Sequence, residues 1–374
     1  MYDYDVAVIG AGINGCSIAY ELSKEGYNVA LFDKEGVAQG GSGAAGAFIS
    51  PKFSKAGELK EVINEAFLYS MQYYDDNFPN HFTKAQLLHI AKDFDEEEVL
   101  RVFKQSTPLE LKTVSDTVYE SLTDEARKCE YISIDAGIVD AFAMCQAMSQ
   151  HTTLIELRVE SLEHQEDHWM INDTYKVKKV ILTTGAYKSI VDEPYIQLRG
   201  VWGHRIDIKT SLQNPYSIHQ FVSISPTKEG IVAIGATHNV HYHPDINTEE
   251  YDFQEGREEL LQKARKTIRL DDVEVVKDYT GLRSGSFDYM PLVGPLVKSE
   301  ETLACCQKQL RVRKPDFDNF VLYKDLYMMN GSGGYGFVLA PYLAKILKEN
   351  IVHDKEISQR LQPARFFARW AKRR

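Results

Sequence analysis

A glycine turn set between two short apolar runs constrains this chain more than any other feature. Val6-Ala7-Val8-Ile9 is apolar without a break, as expected of a strand buried on both faces of a parallel sheet. It leads directly into Gly10-Ala11-Gly12-Ile13-Asn14-Gly15, after which Cys16, Ala19 and Leu22 recur at helical spacing. A second apolar run, Val29-Ala30-Leu31-Phe32, ends in Asp33, 18 residues beyond Gly15. Strand, turn, helix, strand and acid in this order form a unit suited to a dinucleotide. Gly10 permits the tight turn, Gly12 admits backbone N–H groups to a pyrophosphate, and Gly15 lets the helix close on the strand. The helix N-terminus presents positive dipole to phosphates, and Asp33 can accept from ribose hydroxyls. An acid at this place also argues against a 2′-phosphate.

The next stretch decides between dinucleotides. Gly40-Gly41-Ser42-Gly43-Ala44-Ala45-Gly46-Ala47 is a second loop of small residues where a nicotinamide enzyme ordinarily enters a helix. Backbone this bare can reach a far phosphate and pass a flat ring system, and Ala47-Phe48-Ile49 then points to a buried path. FAD is favoured over NAD.

Composition sets outer bounds. The 374 residues, 44% of them apolar, suffice for one large or two ordinary domains and exclude a disordered, collagenous or disulfide-stapled chain. The net charge is −11, yet the last fifteen residues carry six cations (Arg360, Arg365, Arg369, Lys372, Arg373, Arg374) and no acid. Such a tail fits either a polyanion contact or a solvated terminus. No apolar run approaches the roughly 20 residues of a membrane span. No export signal is expected ahead of Val6. Five cysteines without metal-ligand spacing fit reduced thiols, so the expected location is the cytoplasm.

Further stretches resemble the D-amino-acid-oxidase-like superfamily of FAD-dependent amine oxidases, which includes glycine and sarcosine oxidases. Val180-Ile181-Leu182-Thr183-Thr184-Gly185-Ala186 is similar to the late strand of its flavin domain, and Leu157-Arg158-Val159 to the strand whose backbone meets adenine. The run from Gly281 through Arg283 to Gly294 resembles the loop whose arginine holds a substrate carboxylate, and Asn330-Gly331-Ser332-Gly333-Gly334-Tyr335-Gly336 the glycine turn beneath the flavin. A narrower resemblance is to the oxidase half of the bifunctional tRNA 5-methylaminomethyl-2-thiouridine biosynthesis family. It rests on GGSGAAGAFISP (40–51), DYMPLVGP (288–295) and LQPARFFARWAK (361–372).

The resemblance implies an α/β fold: a glutathione-reductase-like, Rossmann-like FAD domain from residues 1–73, 136–200 and 281–374, and a mixed-sheet α+β substrate domain from 74–135 and 201–280. A helix is expected near 251–269. It implies cofactor contacts at Gly10, Gly12, Ile13, Asn14, Gly15, Asp33, Lys34, Gly41, Ser42, Ala45, Gly46, Ala47, Val159, Thr184, Gly185, Gly331, Ser332, Gly333, Gly334, Tyr335 and Gly336. Arg283 is the expected carboxylate anchor, with Phe48, His238, Tyr242 and Tyr335 on the substrate side. The implied reaction oxidises the N-substituted glycine of 5-carboxymethylaminomethyl-uridine at the tRNA wobble position, releasing glyoxylate and the 5-aminomethyl nucleoside. The methyltransferase half has no counterpart in the chain, so a separate methyltransferase is the implied partner.

Two departures bear on the substrate end. The family's turn often carries an arginine where this chain has Gly334-Tyr335-Gly336, and Arg199-Gly200-Val201-Trp202 replaces an Arg-Gly-Gln stretch. His238, His241 and His243, after Gly235-Ala236-Thr237 at an expected sheet edge, fit a substrate-side loop better than a metal site. For tRNA, Lys308, Arg311, Arg313 and Lys314 form a second basic cluster, while Phe366, Phe367 and Trp370 suit either stacking on bases or packing against the body. Rival readings are an oxidase of free glycine, sarcosine or D-amino acids, and a non-catalytic flavin- or tRNA-binding protein.

Overall fold

The structure, a computed structural model, describes residues 2–187, 190–310 and 316–374, without the side chains of 307–309. The chain divides into two units: residues 1–39, 145–200 and 283–374, and residues 40–144 and 201–282. Each is built on an eight-stranded sheet among the described residues, with two long strands, Leu198–Lys209 and Glu274–Ser286, running across the unit limits. No helix among the described residues is long and apolar enough to cross a membrane.

In the first unit, Tyr4–Ile9 lies between Val29–Asp33 and Tyr175–Leu182, parallel to both. Thr153–Glu156 extends the parallel set beyond Val29–Asp33, and Leu322–Asn330 extends it beyond Tyr175–Leu182. The antiparallel strand Leu292–Val297 closes that side. Parallel strands covered on both faces need apolar residues throughout, and Val6, Ala7, Val8 and Ile9 are all buried. The last helix, Ala364–Ala371, docks into the same core: Phe367 has no exposed surface and meets the rings of Tyr195 and Phe320 edge-on, and Phe366 is buried. The two phenylalanines therefore pack against the body, while Trp370 stays half-buried.

The second unit's sheet runs Glu274–Ser286, Leu198–Lys209, Ile231–Gly235, Ser223–Ile224, Ser217–His219, Phe82–Ile90, Tyr131–Val139 and Phe48–Ile49. Its register sorts neighbouring residues onto opposite faces. One line across five strands reads Leu88, Ile218, Ile224, Ile234 and Ile206, each at most 1% exposed. These side chains form a core with Leu260 and Ala264 of the helix Phe253–Arg265, each contributing about 2 kcal/mol of burial. The next line, one residue along, reads His89, His219, Ser223, Gly235 and Arg205. The pleat thus puts an apolar line under a helix and a mostly polar line on the opposite face, where Leu87, Ile132 and Ile134 form a second apolar cluster.

The observed limits differ from those expected from the sequence. Residues 40–73 cluster with the second unit, where Phe48–Ile49 pairs with Gly137 and Ile138. Residues 136–144 also belong there. Local patterns identify a strand but not the sheet it joins. The strand expected at 157–159 is Thr153–Glu156, its place set by pairing with Val29–Asp33, and Val159 follows it half-buried. Of the stretch Gly235-Ala236-Thr237, expected at a sheet edge, Gly235 ends Ile231–Gly235, an interior strand paired on both sides.

Two of the stretches carrying the resemblance meet physically. Arg365 clasps Asp288, with Nε donating to Oδ2 at 3.0 Å and Nη2 to Oδ1 at 3.0 Å. Arg365 Nη2 also donates to the Met290 carbonyl at 2.7 Å, and Nη1 to that of Gln362 at 3.1 Å. Burial opposes ionisation of Asp288, but Arg365 prevails and holds its carboxyl below the usual range. Arg365→Ala should lower unfolding free energy by ~3 kcal/mol, because a mostly buried carboxylate loses its cation. Urea unfolding of the two proteins measures the difference.

Candidate active site

In the first unit the glycine turn is held by contacts no side chain could replace. Gly10 adopts φ +110°, and a Cβ there would stand 2.4 Å from the Thr183 carbonyl oxygen. A Cβ on Gly15 would stand 1.8 Å from the Gly10 carbonyl oxygen. Thr183, not singled out in the sequence, donates its hydroxyl toward the carbonyls of Ile9 (2.9 Å) and Gly10 (2.8 Å), joining the turn to the neighbouring strand. Asp33 braces the turn as well: Oδ2 accepts from Ala11 N–H at 2.8 Å and Oδ1 from Glu35 N–H at 2.9 Å. Each oxygen keeps a second lone pair for a ribose hydroxyl. Lys34 lies over the ring of Tyr187 at 4.8 Å.

Two helix N-termini come together at this turn. Ile13–Lys24 and Gly336–His353 both begin without a side-chain cap and without an acid in the first turn. A Cβ on Gly336 would touch Ile13 at 3.3 Å, and Ser332 Oγ donates to Asn14 Oδ1 at 3.1 Å. Uncapped N–H groups with converging dipoles suit an anion such as a pyrophosphate. The expected residues Gly10, Gly12, Ile13, Asn14, Gly15 and Ser332 share this locality, and 333–335 form the short turn into the second helix.

Beside it, Asn330, marked in the sequence only as the start of the glycine turn, is a hub. Its Nδ2 donates to the Gly185 carbonyl at 3.0 Å, and its Oδ1 accepts from Ser284 Oγ at 2.9 Å and Gly331 N–H at 2.8 Å. Ser284 sits between Arg283 and Gly285, and Gly285 bridges to Ser332. The arginine loop and the glycine turn are therefore joined, and Thr184-Gly185 lies next to both. Arg283 is half-buried, and burial pulls its guanidinium below the ordinary arginine value. A second arginine lies alongside: a Cβ on Gly285 would stand 3.7 Å from Arg199 Nε, a shielded atom without a hydrogen-bond partner among the described residues.

In the second unit, the loop at 40–47 rests on its own sheet. Gly281 admits Gly41, since a Cβ there would stand 2.7 Å from Gly41 Cα. Arg205, stacked 3.8 Å from the Tyr279 ring centre, donates from Nη1 to the Ala45 carbonyl at 2.8 Å. Ser42 lies within the same turn, and Ala45 N–H donates to its carbonyl. Gly46 leaves room for the Phe48 ring, and Ala47 takes φ +48°. Phe48 meets His219 edge-on at 4.9 Å, and Phe53 stacks on His89 at 4.4 Å. His89 Nε2 lies 3.5 Å from Glu96 Oε1. His219 Nε2 is shielded and has no hydrogen-bond partner among the described residues. Burial, helped by the His89 charge, pulls the His219 imidazole down to about 3. A neutral ring of such low basicity can hydrogen-bond a ligand but is a poor proton acceptor.

The remaining expectations fall differently. Tyr242 packs in an aromatic cluster with Trp202 and Tyr251, and His238 is exposed. Residues 238–243 are irregular apart from a bridge between Asn239 and Trp202; Asn239 Oδ1 accepts from His241 and Tyr242 N–H, so His241 and His243 do not share a strand face. Among the described residues no group of three or more His, Cys, Asp or Glu could hold a metal ion. Of the second basic cluster, the Lys308 side chain and Arg311, Arg313 and Lys314 lie outside the described residues. Of the tail cations, Arg365 is committed to Asp288, while Arg369, Lys372, Arg373 and Arg374 are exposed.

A family model described as FAD dependent oxidoreductase matches residues 5–350. The chain is 23% identical over 385 residues to the tRNA 5-methylaminomethyl-2-thiouridine biosynthesis bifunctional protein of Legionella pneumophila strain Corby, covering 96% of this chain and 56% of that one. It is 26% identical over 387 residues to the protein of the same name from Campylobacter jejuni subsp. doylei, covering 98% and 59%. The chain thus spans a little over half the length of these curated relatives. Among solved structures, glycine oxidase from Bacillus cereus superposes with a TM-score of 0.75 at 20% identity, covering 95% of this chain and 96% of that one. Iminodiacetate oxidase from Chelativorans sp. gives 0.72 at 18% identity, covering 96% and 98%. These likenesses establish the fold.

A His219→Phe variant should resist acid better than the parent. His219 stays neutral in the fold between about pH 6.5 and 3 but binds a proton when unfolded. Its contribution is therefore whole above pH 6.5 and is lost as pH falls through that window. The variant's gain over the parent should grow by up to about 1.4 kcal/mol per pH unit below 6.5, as measured by urea unfolding at several pH values.

Proposed function

The chain belongs to the family of FAD-dependent oxidoreductases, and from that premise we propose that it oxidises a CH–NH bond, removing the carboxymethyl group from 5-carboxymethylaminomethyl-uridine at the tRNA wobble position. The observation carrying the reading is the match to the bifunctional tRNA-modifying proteins along nearly the whole chain. The contacts of Ser284 with Asn330 and of Gly285 with Ser332 support it, since Arg283 directly precedes these two residues. FAD is the cofactor, and the uncapped, converging helix starts with the Gly10–Thr183 contact fit its pyrophosphate.

When bound, FAD supplies the two-electron acceptor. The chain's own residues orient the substrate. A guanidinium grips a carboxylate through two parallel hydrogen bonds, so Arg283 fixes the glycine end of the substrate and hence its methylene. Partial burial strengthens that grip by excluding water. Asp288 is occupied by Arg365 and does not take the amine proton; an amine that arrives neutral needs no protein base. Removal of two electrons and two protons across the C–N bond leaves an imine. Water adds to it, the C–N bond breaks, and the products are glyoxylate and the 5-aminomethyl nucleoside.

Anaerobic mixing of the yellow protein with tRNA bearing the carboxymethylaminomethyl group should bleach the flavin absorbance and release glyoxylate. Bleaching by glycine, sarcosine or D-alanine with silence toward tRNA would instead make this a small-amine oxidase. Arg283→Ala should retain the flavin spectrum while kcat/KM falls about a thousandfold, as expected for losing a charge-paired anchor. Gly15→Ala should yield protein without flavin absorbance, because the added methyl occupies the place of the Gly10 carbonyl.

A further inference from the structure

The turn from Ser286 to Met290 displays two aromatic rings to solvent: Phe287 is 57% and Tyr289 59% exposed. Exposed rings on a mobile loop would signify little, but this turn is tightly braced. Ser286 Oγ donates toward the Met290 carbonyl at 2.6 Å and Asp288 Oδ1 at 3.1 Å, and Met290 N–H donates to the same carboxylate oxygen at 3.2 Å. Arg365 clamps Asp288 from the other side. Tyr289 holds φ +64°, a conformation that strains a bulky residue by roughly 1 kcal/mol and that glycine would take freely. The fold thus retains a ring at a position where removing it would relieve strain.

The surroundings give the rings a partner of definite chemistry. Arg199 lies against Tyr289, its guanidinium 4.4 Å from the ring centre, beginning a stack that the ring's exposed surface can continue. Arg369 Nη2 reaches within 3.5 Å of Asp288 Oδ2 and is 53% exposed. Arg365 already balances the Asp288 charge, which leaves Arg199 and Arg369 as positive flanks. Rigid rings with open faces beside arginines match the way single-stranded nucleic acid is held, with bases stacked on aromatics and phosphates on cations. An apolar protein partner would have to desolvate both arginines.

We propose that this turn is a base-stacking platform for a single-stranded RNA loop, with Phe287 and Tyr289 as the stacking rings and Arg199 and Arg369 beside them. The identity of the RNA, the loop of the tRNA that carries the modified uridine, rests on the function proposed above; the stacking chemistry does not.

The test uses the flavin-loaded protein and a fluorescein-labelled RNA hairpin with an unmodified, uridine-containing loop, read by anisotropy. Wild type should bind the hairpin, more weakly as salt rises, and should bind a blunt duplex of the same stem less well. The double variant F287A/Y289G should keep its flavin spectrum and melt no lower than wild type while hairpin affinity falls at least about tenfold. Exchanging the rings as F287Y/Y289F should leave affinity near wild type. Unchanged hairpin affinity in the double variant, or no hairpin binding by wild type, overturns the platform; in the first case the rings are left to a protein contact. Flavin bleaching by modified tRNA is measured separately. Loss of hairpin binding in the variant without bleaching in wild type would uphold the platform and sink the proposed reaction. Bleaching with an unaltered variant affinity would do the reverse.

Discussion

The close approach of Gly10 and Gly15 at the end of the first strand is the constraint on which the first unit depends. With a Cβ excluded at both places, the helix Ile13–Lys24 can start against the strand ends and Thr183 can tie the turn to the next strand. That position lets the second helix, Gly336–His353, begin beside it. Neither start is neutralised by a cap or an acid, so the local field is positive by construction. The same point brings together the strand end at Gly185, the arginine loop at Ser284 and the glycine turn at Gly331 through the single amide of Asn330.

The second unit solves a different problem with the pleat of one sheet. An unbroken line of leucine and isoleucine beneath a helix supplies cohesion, and the adjacent line releases its positions to histidine, serine and arginine. A slip of one residue would exchange the two lines and bury the polar set in the core, so the hydrophobic face fixes the register of the polar one. Arg205 is spent locally, holding the small-residue loop by its Ala45 carbonyl. His219 is left neutral and shielded, a group suited to recognition rather than proton transfer.

The C-terminal helix has a structural role that charge alone does not reveal. Read as a string, its cations look like a track for polyanions. In the fold, Arg365 anchors the turn that follows Arg283, Phe366 and Phe367 fill the core, and only the later cations remain exposed. The stretches DYMPLVGP and LQPARFFARWAK are thus two halves of one brace.

The sequence by itself determined the dinucleotide unit, because the steric demands of a glycine turn and the apolar strands beside it are local. It also marked Arg283 and the turn at 331–336, whose chemistry lies in short contiguous stretches. Tertiary structure alone decided that Phe48–Ile49 joins the second sheet, that Ile231–Gly235 is interior, and that Tyr242 packs with Trp202 and Tyr251. It alone decided the roles of Thr183, Asn330, Arg199, Arg205 and His219. These depend on which strands become neighbours and in what register, and partners as far as 174 positions away leave no local pattern to read. Alternation predicts that a strand has two faces; only the packing of a helix on one of them decides which face is free for chemistry.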